Sequence, residues 1–232
     1  MKRLMLMSLM CLIGFGVLAQ KSKTTPRTSY ATKARLAHKS DPKSVAILSK
    51  VNKKYAAYKS MKIDLVVTIA DGDYKETQQG KVYVKGNKFK IVSKDQEIVS
   101  DGKTNWVYLK RLKELQISNP DPDDIALFSS PDKLLKSYEK DFTSALIGEA
   151  TEGGKSVYKI EFKPKDRNSE YSKVRVTIAK NTFTINKIKV FDKSNIHYTV
   201  AVKSFVRNPS LSDSFFTFDT KKVPKDNIMD LR

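Results

Sequence analysis

Four short runs of alternating apolar and polar residues follow one another between residues 81 and 117. They are separated by pairs such as Gly86-Asn87 and Asp101-Gly102, which supply the positive φ angles that tight hairpin turns require. Alternation with a period of two places every second side chain on the same face of a strand. The stretch therefore predicts a meander of antiparallel strands with one apolar face. The runs are 81–85, 88–92, 97–100 and 105–109.

The same alternation recurs before and after this stretch. Apolar residues alternate with polar ones over 61–69, and strand-like runs follow one another from Lys155 to a last predicted strand at Phe216 and Phe218. The runs are not interleaved with helices at the spacing of βαβ units, so a parallel sheet is not expected. We predict an α+β fold built on a curled antiparallel sheet, an open or half β-barrel of about ten or eleven strands.

Amphipathic helices are predicted to cover this sheet. Asp41 is a favourable N-cap, and Pro42 suits the first turn of the helix that follows. Spacings of three and four residues give this helix one apolar stripe, formed by Leu48, Val51, Tyr55 and Tyr58. Residues 123–140 are predicted to form one or two further short helices, with enough apolar surface to close over the sheet.

The first 40 residues divide into two segments of different composition. Residues 1–19 combine a basic start, an apolar stretch too short to span a bilayer and small residues before Gln20, the pattern of a cleaved signal peptide. Residues 20–40 are rich in Lys, Arg, Ser and Thr without any acid, which predicts a basic flexible linker. Residues 41–232 are then expected to form one domain of an exported, periplasmic protein, without cysteine because Cys11 lies in the cleaved segment.

The sequence contains no familiar catalytic motif. Phosphate-binding glycine loops, the HExxH zinc motif, the GxSxG nucleophile pattern and paired cysteines are all missing. The acids of residues 119–124 fit turn chemistry rather than a calcium loop, and His197 has no evident partner in the sequence. Asp64 and Glu97 stay open as a glycosidase carboxylate pair, should the fold bring them together. We expect a protein that is not an enzyme and that uses no cofactor or metal.

The formal net charge of +19 narrows the choice of partners. Lysines occur at alternate strand positions along the chain, as on a solvent-exposed face, and are not gathered with aromatic residues as in nucleic-acid-binding surfaces. We therefore expect no nucleic-acid partner. The charge favours transient contact with an anionic membrane surface or with acidic partners.

Residues 98–108, which read IVSDGKTNWVY, resemble the SDGKT-x-W-x-Y segment of the periplasmic outer-membrane lipoprotein carrier family, LolA. Two further groups of residues resemble the preceding hairpin of that family, here one residue shorter, and its closing segment. They are Val84, Lys85, Asn87 and Phe89, and then Phe216, Phe218, Pro224 and Arg232. The resemblance covers residues 41–232 approximately. The arginine with which the family grips its lid should fall near Gly86, so closure through that arginine is not implied for this chain.

The resemblance implies a monomeric periplasmic carrier for acylated lipoproteins. Such a carrier holds the acyl chains in an apolar cavity and moves them from an inner-membrane ABC-type releasing complex to the outer membrane, where an acceptor takes them. Candidate lipid-binding residues are those that the apolar face of the sheet and its covering helices would present to this cavity. They are Leu48, Val51, Tyr55, Leu65, Val67, Phe89, Ile91, Trp106, Tyr108, Ile125, Leu127, Phe128 and Leu134.

Two other functions remain open at this point. One is a periplasmic sensor that binds a lipid or glycolipid, and the other is a structural β-module without a transport role. In a structural module the protein's own side chains would fill the sheet face. Apolar stripes at strand spacing are more often ordinary core than ligand-binding surface, so each candidate residue also has that interpretation.

Overall fold

The computed structural model describes residues 39–120 and 140–232, which form one helix and twelve strands. The helix is α1 (Pro42–Ala56). The strands are β1 (Ser60–Asp71), β2 (Tyr74–Lys85), β3 (Lys88–Ser93), β4 (Gln96–Ser100), β5 (Asn105–Leu109), β6 (Glu114–Ser118), β7 (Phe142–Glu152), β8 (Lys155–Pro164), β9 (Tyr171–Ala179), β10 (Ile185–Asp192), β11 (His197–Arg207) and β12 (Ile228–Asp230). The predicted signal peptide and nearly all of the predicted linker lie outside the described residues.

All twelve strands belong to one curled sheet that does not close into a barrel. Their order is β12-β6-β5-β4-β3-β2-β1-β11-β10-β9-β8-β7. Neighbouring strands pair antiparallel, except that β12 runs parallel to β6. In the part of the chain that the structure describes, no helix is long and apolar enough to cross a membrane.

The helix α1 begins where the sequence predicts. The Asp41 side chain accepts a hydrogen bond from the backbone N–H of Lys43 at 3.1 Å, and Pro42 occupies the first turn. The helix ends at Ala56, so Tyr58 lies just beyond it. Tyr58 nevertheless continues the apolar stripe, because its ring packs 5.5 Å from that of Phe205 on β11.

The strand count of about ten or eleven was too low, since the sheet has twelve strands. The strands β6, β7 and β12 were not predicted: β6 offers only Leu115 and Ile117 as alternating apolar residues, β7 is irregular at Gly148, and β12 has three residues. The predicted last strand at Phe216 was wrong: Asp213–Phe216 is a 3-10 turn. Phe183, predicted to begin a strand, lies in a turn with φ of 50° before β10.

The chain after β11 runs across one face of the sheet. Asp213 forms ion pairs of 2.9 and 3.0 Å with Lys85 and Lys88, and the Phe215 ring lies 4.9 Å from that of Tyr83. The backbone N–H of Leu231 then donates to the carbonyl of Ile117 at 2.8 Å, beside the β12–β6 pairing. This C-terminal segment therefore covers the face of β2 to β6 and extends the sheet by one strand.

The sheet buries a different apolar cluster on each face. We call the face in contact with α1 the inner face; it carries Leu65, Phe89 and Ile160. The opposite, outer face carries a smaller cluster under the C-terminal segment, which includes Val99, Trp106, Leu115, Ile117, Phe218 and Val223. The polar alternate positions of β8 to β11 also lie on the outer face.

Candidate binding surface on the inner face

Seven of the predicted lipid-binding residues meet between α1 and the inner face. The helix contributes Leu48, Val51 and Tyr55, and their exposures are 8%, 3% and 9%. The sheet contributes four residues whose exposures are between 1% and 6%, Leu65, Val67, Phe89 and Ile91. The helical stripe and the strand alternation therefore pointed to the same cluster. Binding of lipid by these residues stays a prediction.

Trp106 and Tyr108 do not belong to this cluster. The register pairs Ile91 with Ile98, and Ile98 with Val107, so Val107 is the β5 residue on the inner face. Trp106 therefore faces outward, and the Tyr108 ring packs 5.3 Å from the Phe218 ring of the C-terminal segment. Periodicity groups the residues within a strand, but the turns between strands decide which group shares a face with the neighbours. Placing these two residues beside Phe89 was the wrong grouping.

The four predicted lipid-binding residues on the helices expected within 123–140 lie outside the described residues. They are Ile125, Leu127, Phe128 and Leu134. Their part in lipid binding stays a prediction.

The helix is much smaller than the face that it packs on. Fifteen residues of α-helix are about 22 Å long, whereas twelve strands side by side would measure about 55 Å before curling. Among the described residues α1 is the only α-helix of more than two residues, and several apolar side chains packed against its cluster stay half-exposed. These residues are Ile63 on β1, Ile188 on β10 and Tyr198, Val200 and Phe205 on β11. We call them the open strip.

The open strip was missed as a site because sequence patterns do not show where the helix ends on the sheet. The alternation of Tyr198 and Val200 was visible in β11, and Val67 pairs with Val200. Phe205 has the opposite parity, and it pairs with Ile63 because the register shifts between Asp64 and Leu65. The alternation gave no ground for choosing these residues over the other apolar faces. The position of α1 on the sheet distinguishes them.

Aromatic contacts hold the C-terminal end of α1 beside the open strip. The Tyr55 ring makes an edge contact with Phe205 at 5.7 Å, and the Tyr55 hydroxyl accepts a hydrogen bond from the backbone N–H of Ile185 at 3.1 Å. Burial raises the pKa of Tyr55, so the hydroxyl stays protonated near neutral pH. Lys54 donates to the carbonyl of Thr182, and Lys50 lies 5.1 Å from the Phe183 ring.

The inner face becomes polar toward β4 and β5. Ser93, Gln96, Ser100 and Asn105 are all at least nine-tenths buried, and the strand register places them on the same face as Ile91. Gln96 Nε2 and Asn105 Oδ1 have no hydrogen-bond partner. Buried polar atoms without partners are costly, so these two amides should destabilise the empty protein.

Gly86 lies in the two-residue turn between β2 and β3 with φ of +58°. A Cβ built there would meet nothing within 4 Å. Gly86 therefore lies in a hairpin turn at the end of two strands, where the positive φ favours glycine. This position supplies no cation to the inner face.

The geometry does not support a carboxylate pair for glycoside hydrolysis. Asp64 on β1 and Glu97 on β4 both point outward, and two strands separate them, which places them about 14 Å apart. The two carboxyl groups of a glycosidase are about 5–10 Å apart. Asp64 instead accepts a hydrogen bond from Ser204, and Glu97 forms an ion pair with Lys90 at 2.7 Å. Within the described residues, His, Cys, Asp and Glu form no group suited to a metal ion.

A curled, unclosed antiparallel sheet with one helix against its inner face, and apolar residues left half-exposed on that face, defines a class of binding fold. The sequence profile described as outer membrane lipoprotein carrier protein LolA matches residues 56–219. The chain belongs to this family, whose members are carriers rather than enzymes.

The chain is also similar to individual proteins. An uncharacterised protein of Methanocaldococcus jannaschii is 33% identical over 133 residues, which are 56% of this chain and 39% of that protein. The chain thus spans well under half the length of this relative. The crystal structure of an uncharacterised conserved protein from Thermus thermophilus covers 81% of this chain and 99% of its own, with a TM-score of 0.54 and 15% identity. A LolA superfamily protein from Nitrosomonas europaea covers 75% of this chain and 97% of its own, with a TM-score of 0.40 and 16% identity.

Proposed function

We propose that this protein is a periplasmic carrier that binds the acyl chains of lipoproteins against its inner face. In this proposal it receives them from an inner-membrane ABC-type releasing complex, travels as a monomer and delivers them to an acceptor at the outer membrane. The observation that carries the proposal is the open strip: apolar side chains stay half-exposed beside α1 in a chain of the lipoprotein carrier family.

The physical requirement for such a carrier is large. Three acyl chains with about 15 methylenes each would expose roughly 45 methylenes to water, at a cost of about 35 kcal/mol. An extended apolar surface that is partly covered can lower this cost without a covalent bond. It also releases its cargo more readily than a deep pocket would, because few directional contacts have to be broken.

Two structural features support the inner face over the outer face as the cargo surface. The apolar cluster of the outer face is covered by the protein's own C-terminal segment, with Phe216 fully buried and Val223 5% exposed. The open strip has no such cover among the described residues.

Val200 offers a matched test, because its neighbour Thr199 lies on the opposite face of the same strand. The Val200→Glu variant should lower the affinity for a fluorescent acyl probe about tenfold or more, since a carboxylate would be desolvated beside the acyl chain. It should also lower the release of lipoproteins from spheroplasts. The Thr199→Glu variant adds the same charge on the outer face and should leave binding of the acyl probe unchanged. Unchanged probe binding and release in a folded Val200→Glu protein would refute the proposal.

Native mass spectrometry of the protein isolated from its own cell envelope separates the remaining functions. An acylated protein passenger is the expected result. A free lipid or glycolipid without protein would favour the sensor function instead. A protein that is isolated empty and does not bind the acyl probe would favour the structural module.

A further inference from the structure

Three cations surround one aromatic ring on the outer face of β9 and β10. The side-chain nitrogens of Lys173 and Lys189 lie 4.9 and 4.8 Å from the centroid of the Phe191 ring, and the guanidinium carbon of Arg175 lies 5.1 Å from it. The His197 ring makes an edge contact with the same ring at 4.8 Å. We call Lys173, Arg175, Lys189 and Phe191 the basic patch.

The register of the sheet creates this arrangement. Lys173 is directly opposite Phe191, and Arg175 is directly opposite Lys189. Like charges at directly opposed positions of an antiparallel pair are destabilising. The contacts with the ring compensate part of that repulsion, because a cation near an aromatic face gains about 0.5–1 kcal/mol at exposed sites. An anion bound over the patch would remove the repulsion altogether.

The neighbouring carboxylates do not neutralise the patch. Glu161 is shared by Arg175 at 2.9 Å and Lys163 at 3.8 Å. Glu152 is likewise shared by Lys187 at 2.8 Å and Lys159 at 3.1 Å, and hydrogen bonds from these lysines lower its pKa. Lys173 and Lys189 have no carboxylate within ion-pair distance among the described residues. Seven cations and two carboxylates thus occupy the outer face of β7 to β10.

We propose that the basic patch binds the anionic headgroups of a lipid surface. Lys173 and Lys189 are half-buried, so their aliphatic stems rest on the sheet while the ammonium groups reach outward. Each such cation near an anionic leaflet contributes attraction worth about a fivefold change in partitioning. The attraction does not require a pocket, which suits a nearly flat array of charges on adjacent strands.

The chemistry of the patch disfavours macromolecular partners of other kinds. The strongly exposed large apolar residues among those described are Val45, Tyr74, Leu112, Ile147, Val206, Met229 and Leu231, and none lies on β9 or β10. The patch therefore lacks the exposed apolar anchor around which protein interfaces are usually built. Stacking of a nucleobase on Phe191 is also disfavoured, because three cations already lie around its ring.

If the basic patch on the outer face contacts the lipid headgroups, the inner face points away from them. The inference does not depend on acyl-chain binding at the inner face. The Val200→Glu variant, which tests the proposed function, is therefore expected to bind anionic vesicles as the unaltered protein does.

Vesicle sedimentation of the full chain tests the inference at low ionic strength. The unaltered protein should bind vesicles that contain phosphatidylglycerol and not vesicles of phosphatidylcholine alone. The double variant Lys173→Glu/Lys189→Glu should lower the partition coefficient by about twentyfold or more. The matched control Lys221→Glu/Lys225→Glu changes the net charge equally at two exposed residues of the C-terminal segment and should have a much smaller effect. Circular dichroism and thermal unfolding establish that the variants are folded.

Three outcomes would overturn the inference. One is equal loss of binding in both double variants, which would mean that only the net charge matters. Another is the absence of binding by the unaltered protein to phosphatidylglycerol vesicles. The third is displacement from vesicles by glycerol phosphate beyond the effect of sodium chloride at equal ionic strength, which would indicate a site for a soluble phosphate compound.

Discussion

The Ser44 Oγ lies 2.8 Å from the Oγ of Ser144, which is 100 residues away in the chain, and the Ser44 hydroxyl is within hydrogen-bond distance of the backbone carbonyls of Asp41 and Ser144. Ser44 is fully buried at the start of α1, and Ser144 lies on the edge strand β7. The N–H of Asp41 donates to the Ser144 carbonyl at 2.7 Å, and the Asp41 carboxylate accepts from the Leu146 N–H at 3.1 Å. The start of the helix thus satisfies backbone groups that an edge strand would otherwise leave exposed.

We expect Ser44→Ala to lower the free energy of unfolding by about 1–2 kcal/mol, because buried groups of Ser144 lose their partner. Urea unfolding measures the change. Ser212→Ala is the matched control, since its hydroxyl bonds to Ser214 on the surface, and it should change the free energy by less than about 0.5 kcal/mol. Equal effects of both substitutions would contradict the structural role of Ser44.

The contribution of Asp41 should depend on pH. Hydrogen bonds from the backbone N–H groups of Leu146 and then Lys43 lower the pKa of its carboxyl group below 3.8. A lowered pKa in the folded state contributes stability that is fully present above the unfolded value and is lost as the pH falls through the folded value. The stability difference between the unaltered protein and Asp41→Asn should therefore be constant from neutral pH to about pH 5 and shrink below it. Urea midpoints across this range measure it, and a difference that is independent of pH would contradict the assignment.

Two of the three segments that resemble the carrier family, residues 98–108 and the hairpin with Asn87, meet at Gly102. This glycine has φ of +86°, and an ideal Cβ there would lie 2.6 Å from the Cγ of Asn87. We expect Gly102→Ala to destabilise the protein by about 2–4 kcal/mol, through backbone strain and the clash together.

Two further variants separate these two causes. Gly86→Ala has a similar positive φ in open space and should cost about 1–2 kcal/mol. Adding Asn87→Ala to Gly102→Ala should recover the part that is due to the clash. Full additivity of the two substitutions would show that Asn87 does not restrict this position.

We expect the buried amide of Gln96 to lower the free energy of unfolding of the protein without cargo. Its side chain is 3% exposed and its Nε2 has no partner, so Gln96→Met should raise the free energy of unfolding by about 1 kcal/mol. If the amide binds the polar part of the cargo, the same substitution should weaken binding of a diacylglyceryl peptide. The control is Gln79→Met, on an exposed position of β2, and it should change neither quantity. If Gln96→Met instead lowers the free energy of unfolding, the amide has a hydrogen-bond partner in the folded protein.

The single tryptophan allows the two faces to be distinguished. Trp106 packs in the outer cluster with Phe218, so brominated acyl chains bound to the inner face should not quench its fluorescence. In a Trp106→Phe background, Val200→Trp places the indole on the open strip, where quenching is expected. Strong quenching of Trp106 in the unaltered protein would place the cargo on the outer face.

The strand alternation and turn residues predicted much of the candidate site. The stripe on α1 and the alternate residues of β1 and β3 were assigned correctly to one buried cluster, because helix and strand periodicities are local properties of the chain. Trp106 shows where this reasoning stops. Its parity within β5 was correct, yet its face relative to Phe89 depended on two hairpin registers that the alternation alone did not specify.

The sequence by itself determined the class of fold, the start of α1, the main antiparallel strands and the membership in the carrier family, since each depends on local periodicity, turn chemistry or a short motif. Only the tertiary structure decided which apolar residues the helix covers and which remain in the open strip. It also decided that the C-terminal segment covers Trp106 and that three cations surround Phe191. These relationships join residues far apart in the chain, and their geometry is set by strand register and by the packing of the whole sheet.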